Sequence, residues 1–289
     1  MRRIRTDLNG KSCLITGAAS GIGAATARVA AARGARLALT DLHDEPLQAL
    51  ADELRAGGAT VLAARAADVS DRRAVEDLAR EIHEDNDALD VVMNVARIAT
   101  WGAVEQLEHE HWRRVIDVNL MGPVHVIEAF VPPMVRAGRG GHLVNVSSAA
   151  GLIGLPWHAP YSASKFGLRG ISEVLRFDLE RHGIGVTLVC PGAVATPLVD
   201  NVQIVGVDRE HPAARRLAER FRRHAHTPEQ VAEQIVRGVE RGDYLVITSR
   251  DIRIVFWLQR FAPPLYERAM LRLNRRLVAV GEKARIAPG

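Results

Sequence analysis

Residues 12–23 read Ser12-Cys13-Leu14-Ile15-Thr16-Gly17-Ala18-Ala19-Ser20-Gly21-Ile22-Gly23, and their reading decides what the rest of the chain can be. An apolar run stops at a glycine turn, and an alanine-rich segment follows to Arg33, with Gly34 after it. This order predicts strand, turn and helix, with Gly34 as the C-terminal cap. Glycines at such a junction let the backbone approach a phosphate group. The helix N-terminus adds free N–H groups and the positive end of its dipole. The spacing is Gly-x-x-x-Gly-x-Gly, not the commoner Gly-x-Gly-x-x-Gly.

Working outward, further strands are expected at 36–40, 61–66, 89–93, in the run before Ser147, at 185–190 and at 244–248, alternating with helical segments. Alternation of this kind predicts an α/β fold, a single doubly wound domain over 1–248 with a seven-stranded parallel sheet. Residues 249–289 are expected to form a helical C-terminal extension. Ligands of such sheets bind beyond the carboxyl ends of the strands.

At 289 residues, 47% hydrophobic and 25% charged, the chain can bury a sizeable core. The net charge of +4 comes from arginines spread along helical segments, with no nucleic-acid motif beside them, so nucleic-acid binding is not expected. Cys13 and Cys190 both lie in apolar strand-like runs and read as buried free thiols of a reducing compartment. The basic N-terminus lacks a signal peptide's apolar stretch, and no uninterrupted apolar run approaches a membrane span. A cytoplasmic protein is expected. The histidines form no metal-ligand pattern, and no metal is expected.

The second informative stretch, residues 145–165, runs Asn-Val-Ser-Ser-Ala-Ala-Gly, then a short apolar link, then Tyr161-Ser-Ala-Ser-Lys165. Tyr161 and Lys165 are four apart, hence on one face of a helix. An ammonium beside a phenol favours the phenolate, which makes tyrosine a usable general acid or base. Ser148, at the end of a buried strand, has a hydroxyl that could hold a substrate oxygen.

A serine this far ahead of Tyr-x-x-x-Lys, together with Thr16-Gly17-x-x-x-Gly21-x-Gly23, resembles the short-chain dehydrogenase/reductase family over about residues 10–248. The resemblance implies Asn119, Ser148, Tyr161 and Lys165 as catalytic residues. It implies cofactor contacts from Gly17, Ser20, Gly21, Ile22, Gly23, Asp68, Val69, Asn94, Ala96, Tyr161, Lys165, Pro191, Gly192, Val194 and Thr196. Asp41 lies twenty residues beyond Gly21, where an adenosine ribose should arrive; it can accept from both ribose hydroxyls and would repel a 2′-phosphate. With Ser20 in place of a base, NAD is expected over NADP.

One segment departs from the family's Asn-Asn-Ala-Gly text: here it reads Asn94-Val95-Ala96-Arg97. Arg97 could swing into solvent, pair with a cofactor phosphate or obstruct binding. It keeps open a catalytically impaired, NAD-binding regulatory or scaffold protein. The other alternative is an NADPH-dependent ketone reductase.

The favoured expectation is hydride transfer between NAD and a hydrophobic secondary alcohol or ketone, steroid- or lipid-like, because residues 197–226 read as an apolar lid. Family analogy implies a homodimer or homotetramer packed through the helices that carry Asn119 and Tyr161. For the aromatic, arginine-rich extension two roles stay open. Packing on the lid or a neighbouring subunit is favoured over interfacial membrane contact.

Overall fold

The computed structural model describes residues 3–195, 202–223 and 225–285. Its central sheet holds β1 (Ser12–Thr16), β2 (Arg36–Asp41), β3 (Val61–Ala66), β4 (Val91–Asn94), β6 (Gly141–Val146), β7 (Ile184–Cys190) and β9 (Leu245–Ile247). The spatial order is β3-β2-β1-β4-β6-β7-β9, and every pairing is parallel. The expected seven-stranded doubly wound sheet is the one observed. A short parallel pair, β5 (Thr100–Trp101) with β8 (Gln203–Ile204), is additional and was not expected.

Both faces of the sheet are covered, so β1, β4 and β7 read as continuous apolar runs. One face carries α1 (Gly21–Ala32), α2 (Asp44–Ala56) and α8 (Pro228–Arg241), with Leu47, Leu50, Val231 and Ile235 in its core. The other carries α3 (Arg72–Asp85), α5 (Gly122–Ala137) and α6 (Ala159–Asp178), packed through Leu78, Ile82, Val126, Phe130 and Leu175.

Local chemistry accounts for the helix ends. Gly34, with φ +78, closes α1 as expected. Thr227 and Gln230 form a reciprocal capping box ahead of α8. The cap of α3 is Asp71, which accepts from the Arg73 and Ala74 N–H groups.

A helix run over 109–137 joins α4 (His109–Ile116), a π-helical turn (Asp117–Met121) and α5. Contrary to the reading of the apolar runs, this run is long and apolar enough to cross a membrane by length and composition. It is nonetheless a core helix: Val126 and Phe130 are fully buried against the sheet.

The described part of the lid holds β8 and α7 (Pro212–Arg222). Pro263-Pro264 divides the extension into α9 (Arg250–Phe261) and α10 (Pro263–Lys283). Both helices fold back on their own chain. Ile252, Val255, Phe256 and Tyr266 pack on Leu152, Ile153 and Cys190, while Val280 and Ala284 pack on the lid residues Ile204, Val207 and Ala214. Packing on the lid, one of the two roles left open, is therefore realised. The outer face leaves Trp257 and Phe261 stacked at 5.2 Å and exposed.

Candidate active site

The strand order reverses between β1 and β4, and the crevice lies beyond their carboxyl ends. Gly17 follows β1 with φ +68, and a Cβ there would stand 2.7 Å from the Ala96 Cα. A Cβ on Gly23 would collide with the Gly17 carbonyl. Only glycine fits either place. Thr16 fixes the crossing chain, its Oγ1 accepting from the N–H groups of Val95 and Ala96 at 3.0 and 3.1 Å.

Gly21 opens α1 with φ +52, and Ile22 is buried beneath the turn. Ser20 precedes the helix but makes no side-chain cap, so the first N–H groups of α1 have no capping side chain and suit an anion.

Asp41 ends β2. Its two oxygens accept from Ala19 N–H (3.0 Å) and His43 N–H (3.1 Å), which aims the carboxylate across the glycine turn. Each oxygen retains a lone pair for a ribose hydroxyl. Asp68 is held by the Ser70 N–H and hydroxyl at 2.9 and 2.6 Å. Val69 is buried against Gly122, where a Cβ would stand 2.8 Å from its Cγ2.

Asn94 Nδ2 donates to Asn145 Oδ1 at 2.9 Å, and the Asn94 Oδ1 is buried without a partner among the described residues. An orphaned buried acceptor beside a backbone cradle fits a bound molecule that brings its own donors. The residues present therefore fit a dinucleotide.

At the other end of the crevice, Tyr161 and Lys165 share one face of α6 and are almost fully buried. Lys165 Nζ donates to the Val146 carbonyl at 3.0 Å and lies 5.8 Å from the centre of the Tyr161 ring. Ser148 caps the short 3₁₀ turn Ala149–Gly151, its Oγ accepting the Ala150 N–H at 3.1 Å.

Burial pushes the Tyr161 phenol up, while the Arg97 guanidinium and the Ser148 hydroxyl pull it down. Burial and the repulsion of Arg97 bring Lys165 down to about 7. Lys165 lies beside the Tyr161 ring, and the Arg97 guanidinium adds a second positive charge that offsets part of the burial of the phenol.

Asn119 is buried in the π-helical turn. It bonds neither its own helix nor another side chain alone. Its Oδ1 accepts the Ile98 N–H and its Nδ2 donates to the Ile98 carbonyl, both at 2.9 Å, with a longer contact to Ser164 Oγ at 3.3 Å. The chain on either side of Arg97 is thus pinned, at Ala96 by Thr16 and at Ile98 by Asn119.

After β7, the Pro191 carbonyl accepts the Ala149 N–H at 2.7 Å and Gly192 N–H donates to Thr248 Oγ1 at 3.3 Å. Val194 bridges to His226. This ties the turn to the Ser148 segment. Thr196, and the lid residues Leu198 and Val199, lie outside the described residues.

Three residues around Tyr161 went unread in the sequence. His158 lies edge-on to the Tyr161 ring at 6.4 Å and tilts against Trp101 at 4.4 Å. Burial holds its imidazole neutral down to about 4. Its Nδ1 lies 2.7 Å from the Pro156 carbonyl and therefore carries the proton. Trp157 is the single non-glycine residue with positive φ among the described residues, at +68. It occupies the third place of a Leu155–His158 turn closed by a 3.2 Å bond, with Pro156 second, where glycine is normally required. Such a conformation costs on the order of 1–3 kcal/mol.

Around Tyr161 the walls are otherwise apolar: Ala150, Val115, Val202, Trp101, Leu155 and Ile204.

Comparison with known proteins agrees with this geometry. The short chain dehydrogenase family model matches residues 11–204. SadH of Mycobacterium tuberculosis is 36% identical over 269 residues, covering 91% of this chain and 95% of that protein. A short-chain dehydrogenase/reductase from Burkholderia phymatum, solved with NAD, superposes with a TM-score of 0.81 at 29% identity, covering 90% of this chain and 96% of its own. A metagenomic short-chain oxidoreductase solved with NADP gives 0.67 at 29% identity, covering 84% and 96%. The chain belongs to the short-chain dehydrogenase/reductase family and is an NAD(P)-dependent oxidoreductase acting on CH–OH groups.

Proposed function

We propose that this enzyme uses NAD to interconvert a hydrophobic secondary alcohol and its ketone, with Tyr161 as the general acid/base. The observation that carries the reading is the inward cluster of Ser148, Tyr161 and Lys165 across one crevice from the Gly17–Gly23 cradle and Asp41. Apolar walls from Val202, Ile204, Leu155 and Trp101 support an apolar substrate body, steroid- or lipid-like.

A nicotinamide dinucleotide supplies the site for hydride when bound. Gly17 and Gly23 admit its phosphates to the first turn of α1, and Asp41 accepts from the ribose hydroxyls while repelling a 2′-phosphate. Asp68 and Val69 border the adenine side. Asn94, Ala96, Pro191, Gly192 and Val194 border the path to the reactive end, and Thr196, expected to contact it, follows in sequence. Ser148 donates to the substrate oxygen, and Tyr161 takes the alcohol proton or returns it to the ketone. Lys165 and Arg97 favour the phenolate, and Asn119 holds the segment that carries Arg97.

The inward Arg97 sustains a second reading, an NAD-binding protein impaired in turnover. Calorimetry with NAD and NADP, on wild type and Arg97→Gly, separates the two. Tight NAD binding by the wild type supports the enzyme, and binding only after the change to glycine supports the impaired protein. Tyr161→Phe should then lower kcat by about 10²–10⁴-fold with NAD affinity retained.

Exposed Met121, Phe166, Val174 and Phe177 on the helices bearing Asn119 and Tyr161 support a homo-oligomer packed through that face, measurable by light scattering. The free, buried Cys13 and Cys190 support a reducing, cytoplasmic setting.

A further inference from the structure

The left-handed Trp157 is buried on one side by an element remote in sequence. Its carbonyl accepts the Gly102 N–H at 2.9 Å, next to Trp101. Its indole enters a cluster made by Ile204, Val207 and Ala214 of the lid and Val280 and Ala284 of α10. Gly281 of α10 lies directly against it: a Cβ on Gly281 would stand 2.5 Å from the Trp157 Cη2.

The same helix is fastened at both ends of this contact. Tyr266 donates its hydroxyl to the Gly154 carbonyl at 2.9 Å, and the Ala284 carbonyl accepts the Asp208 N–H of the lid at 2.7 Å. A strained residue persists only where its surroundings over-determine it. Here those surroundings are the C-terminal extension and the lid. The consequence falls on the next residue, His158, which the turn sends inward against Trp101 and Tyr161.

We propose that α10 is part of the substrate site, with Gly281 and Trp157 as positioning residues that hold His158 and Trp101 as an aromatic wall beside Tyr161. The inference rests on the oxidoreductase reading given above. It assigns the wall to substrates with a flat or cyclic apolar body, which bury most area against two rings. Cofactor affinity should be indifferent to the contact, because the nucleotide cradle lies on the far side of the crevice.

The test uses the full chain with Gly281→Ala, Gly281→Val, Trp157→Gly and the double variant Trp157→Gly/Gly281→Val. Glycine at 157 accepts φ +68 without strain, so it removes the ring and keeps the turn. Hydrogen exchange of residues 155–161 in the free protein should speed up in Gly281→Val, and to a lesser degree in Gly281→Ala. With cyclohexanol as probe, KM should rise about tenfold in Gly281→Val, with kcat and calorimetric NAD affinity changing less than about twofold. In the Trp157→Gly background the valine should add nothing, because the ring it displaces is gone.

Unchanged exchange and KM in both Gly281 variants would overturn the proposal, as would the same KM increase in the Trp157→Gly background. A wild type that turns over no alcohol in this class would count against the oxidoreductase reading. The exchange measurement still decides the Gly281–Trp157 lock in that case.

Discussion

The two sides of the crevice are built by opposite means. On the cofactor side, from β1 to Ala96, fit is enforced by backbone: Gly17 against Ala96, Gly23 against the Gly17 carbonyl, and Thr16 clasping two N–H groups. On the substrate side, fit is enforced by side chains brought from distant parts of the chain, with Trp101 and Ile204 packed around Tyr161 and Trp157 and Val280 in the adjoining cluster that Ile204 also joins. Backbone contacts cannot be traded one for another, whereas side-chain walls can be repacked at modest cost. The difference teaches where this molecule is free to change and where it is not.

The largest expected effect breaks the backbone side alone. Gly23→Ala places a methyl group on the Gly17 carbonyl. NAD affinity should fall by about a hundredfold, ~2.7 kcal/mol, when followed by calorimetry. The Tyr161 surroundings, read by exchange of the 155–161 turn, should stay as they were. Loss of protection there too would show that the two sides are coupled.

A pH titration of stability sharpens the contrast. His142, in the sheet, and His158, in the substrate wall, are both held neutral by burial down to about 4, against an ordinary value of 6.5. Between those values the unfolded chain binds more protons than the folded one, so stability falls as the pH drops through the window. The loss should be larger for His142, which is fully enclosed, than for the half-buried His158. Melting curves from pH 7 to 4 should lose part of their slope in His142→Phe and a separate part in His158→Phe. Exchange in the 155–161 turn should respond only to the second.

The smallest effect lies on the seam. Arg97 favours the Tyr161 phenolate and opposes the charged form of Lys165. In Arg97→Gly the phenol loses a stabilising cation, so the rising limb of the alcohol-oxidation pH profile should move to higher pH. A shift to lower pH, or none, would remove Arg97 from the acid–base chemistry.

The backbone side was the legible one. Strand, glycine turn and helix are local facts; the cofactor roles expected of Gly17 and Gly23 come from the family resemblance, and that of Asp41 from its distance beyond Gly21. The start of α8 is equally local, since Thr227 and Gln230 place its capping box within four adjacent residues. The substrate side was legible only where it is local, at Ser148, Tyr161 and Lys165.

The direction of Arg97 depends on Thr16 and Asn119 fixing the chain before and after it, which no window of sequence shows. Asn119 was read as a helix residue with a family role, yet its bonds go to Ile98, twenty-one residues back. Two signals were present but not read. Gly281 interrupts a good helical pattern, and such glycines usually mark a close approach. Pro156-Trp157 has the proline of a turn that asks for glycine next.

The π-helical turn at Asp117–Met121 carries a design implication. It adds one residue to a helix turn at the place where Asn119 must leave the helix surface and reach the strand-end loop. A library meant to retarget the enzyme can therefore vary Trp101, His158, Ile204, Val207 and Val280 together, since none of them holds that turn or the cradle. Deleting a single residue within 117–121 would do the reverse. It would rotate everything downstream on the helix by about 100° and take the reaction away from whatever substrate the new wall had been built to admit.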